Sequence, residues 1–182
     1  MIPTAEKCFA LMEKYGMLDN IKAHSLMVEK VANIIALRLI DTGFDISMEK
    51  VTAGALMHDI GKTICLNSQD DHAAKGMEIC IQNNFAEIAE IVKEHIRLKR
   101  YEPNGDIRVR EIIYYSDKRV NHDKIVSLEE RLEYLLVRYA KDKETLGQLI
   151  KDNFKECKEV EKKLFAGLSF RPEDLADMIG QT

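Results

Sequence analysis

Three apolar stripes at helical spacing each deliver a histidine to what should be a protein interior. Ile21, His24, Val28, Val31 and Ile35 recur every three or four residues. Met48, Val51, Ala55 and His58 do the same, and so do Phe85, Ile88, Val92 and His95. A fourth stripe, Val109, Ile113, Asp117 and Val120, turns a carboxylate inward. An unpaired buried polar group costs on the order of several kcal/mol, so these helices must pack with their polar ends facing one another or facing something held between them.

The remaining pattern is helical throughout, and the expected fold class is all-α. Thr4 to Tyr15 forms a first helix stopped by Gly16, and Asp19 or Asn20 caps a second that runs to about Ile40. Ser47 caps the third. Asp70 or Asp71 caps a fourth that opens with His72 and carries Gly76, where another backbone can approach closely. Helices follow over about Phe85 to Ile96 and Ile107 to Val120, then one opened by the capping box Ser127 with Glu130. A long amphipathic helix carries Leu146, Ile150, Phe154, Cys157 and Leu164 on one side, and a short last helix spans Pro172 to Ile179. No strand pattern or repeat competes. With 182 residues, 46% of them hydrophobic, and only three prolines, the chain is expected to form one helical bundle over residues 1–140, with 141–182 as a helical extension packed on it.

A net charge of −4 gives no general attraction to nucleic acid or acidic membrane, so an anionic substrate would need local positive charge. Cys8, Cys65, Cys80 and Cys157 are scattered and read as reduced thiols. No signal-peptide pattern and no membrane-length apolar run is present, and a cytoplasmic location is expected.

The densest chemistry lies in Ala55-Leu56-Met57-His58-Asp59-Ile60-Gly61-Lys62. Here an apolar helical run ends in two adjacent metal-binding side chains. Gly61 lets the chain turn away, and Lys62 stands one helical turn beyond His58, able to put an ammonium beside a bound anion. A His-Asp dipeptide alone carries little weight, because His122-Asp123, between Asn121 and Lys124, reads as a solvated turn. Each histidine also has a plainer reading: a core residue satisfied by a carbonyl, a helix-end surface residue for His72, a partner of the helix dipole for His95. Taken jointly, His24, His58, Asp59 and Asp117 on the apolar faces of separate helices point to a metal site.

The order His24, then His58-Asp59 followed by Ile60-Gly61-Lys62, then Asp117 in Tyr114-Tyr115-Ser116-Asp117-Lys118-Arg119 resembles the HD superfamily of metal-dependent phosphohydrolases, in particular its HDIG-type members. The resemblance covers about residues 20 to 140. It implies that His24, His58, Asp59 and Asp117 bind one divalent ion. His72 and His95 stand where many relatives hold a second, with Asp59 bridging. Mixed imidazole and carboxylate ligation suits Mn²⁺, Fe²⁺, Co²⁺ or Ni²⁺, with Mg²⁺ also compatible.

The implied function is hydrolysis of a phosphate mono- or diester, on a small nucleotide, by a metal-activated water. Asp59 and Lys62 are the candidate catalytic residues. Lys62, Arg97, Lys99, Arg100, Lys118 and Arg119 are the candidate phosphate contacts, although exposed cations ordinarily just solvate a surface. After His95 there is no His-Glu partner and no Gly-Tyr-Pro, so the cyclic-di-GMP phosphodiesterase branch is not matched. Nor are the patterns of the deoxynucleotide triphosphohydrolases or the guanosine tetraphosphate hydrolases. A di-iron oxygenase on the same fold, or a regulatory module stapled by metal, is the alternative. The apolar stripe of the extension reads as core cover, with homodimerisation second.

Overall fold

The computed structural model describes residues 1–68, 70–141 and 143–180. Local chemistry sets most helix starts. Thr4 opens α1 (Ala5–Lys14) by accepting from the Lys7 amide, and the helix stops where Gly16 takes φ +62°, a conformation costly for residues with a Cβ. Ser47 opens α3 (Met48–Met57) by accepting from Lys50, and Asp71 opens α4 (His72–Gln82) by accepting from Ala73 and Ala74. The long α2 (Asp19–Asp41) departs from expectation. Its N-cap is Leu18, which has no capping side chain: the Ile21 and Lys22 amides go to the Leu18 carbonyl, and the Leu18 amide donates to Thr63 Oγ1, so neither Asp19 nor Asn20 caps the helix.

Next come α5 (Ala86–Glu94) and α6 (Val109–Lys118), the latter shorter at both ends than the sequence suggested. Beyond it the chain makes a two-residue hairpin, β1 (Val120–Asn121) with β2 (Lys124–Ile125), Val120 opposite Ile125. Strands this short carry no alternation to read, which is why no strand was expected. Its turn holds His122 at φ +57°. The Ser127–Glu130 capping box forms as expected and starts α7 (Leu128–Tyr139), followed by α8 (Glu144–Phe165). The last helix begins as a single 3-10 turn, Pro172–Asp174, before α9 (Leu175–Gly180).

α3 sits centrally, packed against α1, α2, α5 and α6. Its Ala53, Gly54 and Ala55 let those neighbours close in; a Cβ on Gly54 would come within 2.9 Å of the Ile91 side chain. α4 and α5 pair with each other, and α8 lies across α6 and α7. A buried ion pair fixes that last contact: Lys163 Nζ donates to both oxygens of Glu111, at 2.9 and 3.1 Å, and to the Glu102 and Asp106 carbonyls. Phe154, Cys157, Val160 and Leu164 of α8 are buried. No described helix is long and apolar enough to cross a membrane.

A close backbone approach joins α3 to α4. A Cβ on Gly61 would lie 2.3 Å from the His72 carbonyl oxygen and 2.7 Å from the Gly76 nitrogen, and one on Gly76 would lie 2.7 Å from Val92 Cγ1. Two glycines thus bring the start of α4 against the chain that follows α3.

Candidate metal centre

Six side chains converge where these elements meet. α2 supplies His24; the C-terminal end of α3 supplies His58 and then Asp59; α4 supplies His72 from its first residue; His95 caps α5; and α6 supplies Asp117. His58, Asp59 and His95 are at most 2% exposed and His24 is 6% exposed.

The imidazoles are held from behind. His24 Nδ1 donates to the His122 carbonyl at 2.9 Å, His58 Nδ1 to the Ala55 carbonyl at 2.7 Å, and His95 Nδ1 to the Val92 carbonyl at 2.6 Å. A carbonyl only accepts, so each Nδ1 carries a proton and each Nε2 is turned inward, able to donate to a carboxylate when protonated and to ligate a cation when not. Outer-shell bonds of this kind fix ring orientation and tautomer in metal sites. The turn read as solvated in the sequence, His122-Asp123, therefore has a structural part to play through its backbone.

Asp59 divides the cluster. Its Oδ2 faces His58 Nε2 at 3.4 Å and His24 Nε2 at 4.0 Å, while its Oδ1 faces His72 Nε2 at 3.3 Å and His95 Nε2 at 3.5 Å. Asp117 Oδ1 joins the first group, 3.0 Å from His24 Nε2 and 3.7 Å from His58 Nε2. Two sets of donor atoms result, His24, His58 and Asp59 on one side and Asp59, His72 and His95 on the other, each tight enough to close on one cation. His58 Nε2 and Asp59 Oδ1 are buried without a hydrogen-bond partner. Leaving either atom orphaned would cost about 1–3 kcal/mol, which a shared cation removes. The donor chemistry, imidazole nitrogen with carboxylate oxygen, fits a divalent transition metal.

Electrostatics agree with this arrangement. Burial alone would raise the Asp59 carboxyl, but the positive charge of His58 and Lys62 holds it well below the usual carboxylate range. Asp117 is likewise held down against its burial, by the hydrogen bond with His24 and the charge of Lys118. His58 is pushed down by burial and up by the Asp59 charge, and the charge prevails; His95 has burial as its main influence and is lowered.

A cavity of about 550 Å³ opens beside the cluster, bordered by Asp59, His72, His95 and Asp117. Its far wall comes from the C-terminal helices: Leu135 and Tyr139 of α7, and Leu146, Ile150, Asn153 and Phe154 of α8. The N-terminal half of the α8 stripe, expected to cover core, thus lines this space.

The candidate phosphate contacts fare differently. Lys62 Nζ donates to Asp59 Oδ2 at 2.7 Å and borders the cavity. Lys118 also borders it, but is buried, donates to the His95 and Tyr114 carbonyls, and lies 3.8 Å over the Tyr114 ring. Arg119 is not brought to the cluster: its guanidinium donates to the Val126 and Pro172 carbonyls and to Tyr115, because the α6 C-terminus turns it towards α8 and the last helix. Arg97, Lys99 and Arg100 are exposed and do not line the cavity, and Lys99 pairs with Glu90. In their place stands Arg131 of α7, which sequence reasoning missed. Its position, three residues after Leu128 and four before Leu135, was the available signal.

Residues 21–135 match the family model of the HD domain. A tRNA (cytidine(56)-2'-O)-methyltransferase of Thermoplasma volcanium is 36% identical over 97 residues, 53% of this chain and 27% of that protein. The protein of the same description from Picrophilus torridus is 29% identical over 147 residues, 72% of this chain and 40% of its own. Ribonuclease Y of Mycoplasma mycoides is 40% identical over 70 residues, 38% of this chain and 15% of that protein. The chain thus spans less than half the length of each of these relatives. No solved structure matches it significantly. With the family match running over more than half of the chain and taking in all six clustered donors, the chain belongs to the HD domain family.

Proposed function

We propose that this chain is a metal-dependent phosphohydrolase that cleaves a phosphate mono- or diester of a small nucleotide. In this reading His24, His58, Asp59 and Asp117 hold one divalent transition-metal ion, and Asp59, His72 and His95 hold a second. The observation that carries it is the division of the Asp59 carboxylate, one oxygen towards each pair of histidines. When bound, such ions supply Lewis-acid activation of water and neutralise phosphate charge.

The chain's own residues supply the rest. The three carbonyl-tethered imidazoles keep their Nε2 atoms fixed, so little reorganisation accompanies substrate binding. Lys62 has three donors, and while one stays on Asp59 another can take a phosphate oxygen. Lys118, fastened to two carbonyls, keeps a positive charge behind Asp117 at 3.6 Å. The cavity falls within the range of small-ligand sites, roughly 300–1,000 Å³, and its α8 wall offers apolar surface to the organic part of an ester. The relative named as a ribonuclease is consistent with phosphodiester chemistry on this domain.

The test is to measure bound metal by mass spectrometry and assay phosphomonoesters and phosphodiesters with Mn²⁺, Co²⁺, Ni²⁺ and Mg²⁺. Metal-dependent turnover that falls by roughly a hundredfold or more in Asp59→Ala is expected, since both donor sets lose their common oxygen ligand. Bound iron with oxygen consumption and no esterase activity would move the assignment to an oxygenase. Firmly held metal with neither activity would leave a structural staple.

A further inference from the structure

A second cavity, of about 250 Å³, lies on the His24 side of the cluster and shares Lys62, Leu66, Arg131 and Tyr139 with the larger one. Its chemistry differs from that of its neighbour. Lys62, Arg131 and Arg138 bring positive charge to it, Asn20 and Asn121 bring amides, Tyr134 brings an aromatic face, and among the described residues no Asp or Glu lines it. Such a concentration of cations is unexpected on a chain whose net charge is −4.

Arg131 stands between the two spaces. Among the described residues its guanidinium makes one hydrogen bond, from Nη1 to Asn121 Oδ1 at 2.8 Å, while its Nε is buried with no partner and its guanidinium carbon lies 5.6 Å from the Tyr134 ring centre. No carboxylate among the described residues pairs with Arg131 or Arg138. Arg119, four residues short of the hairpin turn's end, shows the contrast: each of its nitrogens is committed within the fold, and Glu161 stands 3.5 Å away. An arginine presents up to five donors in a planar fork that matches phosphate oxygens, so one that borders both cavities, without a carboxylate partner among the described residues, is placed for an anion.

We infer that the smaller cavity is a subsite for a further anionic group of the substrate, a phosphoryl carried beyond the ester that is cleaved, and that Arg131 is the residue that reads it. The inference rests on the phosphohydrolase reading above and narrows it. The preferred substrate has phosphoryl groups on both sides of Lys62 and an organic part towards α8; a simple monoester leaves the smaller space unfilled.

The test uses the full chain. Pyrophosphate is titrated by calorimetry into chelator-treated protein, in the wild type, Arg131→Gln, Arg131→Lys and the remote Arg171→Gln, with circular dichroism to confirm folding. The expected result is binding by the wild type, weakened about tenfold in Arg131→Gln, partly restored in Arg131→Lys and unaltered in Arg171→Gln. Absence of binding to the wild type, or equal affinity in Arg131→Gln, overturns the inference. In turnover, Arg131→Gln should raise KM more for an ester bearing a second phosphoryl group than for phenyl phosphate; an equal effect on both overturns its part in specificity. Should no ester be hydrolysed while pyrophosphate still binds through Arg131, the hydrolase reading falls and the anion subsite stands.

Discussion

A carboxylate withdrawn from water stays ionised only when positive charge surrounds it, and Asp59, 1% exposed, and Asp117, whose side chain is 15% exposed, are both surrounded. Both are held well below their ordinary value of 3.8, so the stability they contribute is fully present above that pH and is lost as pH falls through the depressed range. Replacing Asp117 with Asn in chelator-treated protein should cost about 2 kcal/mol at neutral pH, the worth of a hydrogen bond to a charged group. The Tm gap between the two proteins should then close on acidification below pH 3.8. A gap that stays constant through that range would mean that the charge of Asp117 does not matter to folding. Residues of this kind were legible because helical periodicity alone aims His24, His58, His95 and Asp117 inward. The His122 carbonyl was not, since a backbone oxygen leaves no mark on residue type. Nor could charge alone tell the inward Arg131 from the tethered Arg119 or the exposed Arg97.

Among the elements, helix starts at Thr4, Ser47, Asp71 and Ser127 follow from short polar side chains, and each was readable. The start of α2 was not, because its N-cap is Leu18, which offers no capping side chain and whose amide is taken by Thr63 only through tertiary folding. The contact between the chain after α3 and the start of α4 depends on Gly61. Gly61→Ala should cost about 2 kcal/mol, because a Cβ 2.3 Å from a carbonyl forces backbone to move, and it should withdraw His72 from Asp59. Metal content measured by mass spectrometry should then fall towards one ion per chain; undiminished occupancy would show that α4 needs no such approach. On the other side of the molecule, Lys163→Met strands Glu111 in the interior between α6 and α8. A loss of about 3 kcal/mol in urea denaturation is expected, and a loss under 1 kcal/mol would show that water reaches the abandoned carboxylate.

For the whole molecule, a cation between His24, His58, Asp59 and Asp117 would join α2, α3 and α6. Added Mn²⁺ or Co²⁺ should therefore raise Tm, by the equivalent of about 2.7 kcal/mol at a hundredfold excess over Kd, and a chelator should reverse it. The shift should vanish in Asp59→Ala; its persistence there would place the metal elsewhere. The all-helical class was evident from the apolar stripes. That α8 would face the cavity was not, because its stripe has the same periodicity whether it meets core or open space.

The family match ends at residue 135, yet Leu146, Ile150, Asn153 and Phe154 wall the larger cavity from α8. If the cavity holds the substrate of the proposed hydrolase, ligand choice is entrusted in part to a segment outside the HD-domain match. On that reading, exchanging the tail between homologous proteins would retune which molecule is accepted while leaving the six clustered donors in place.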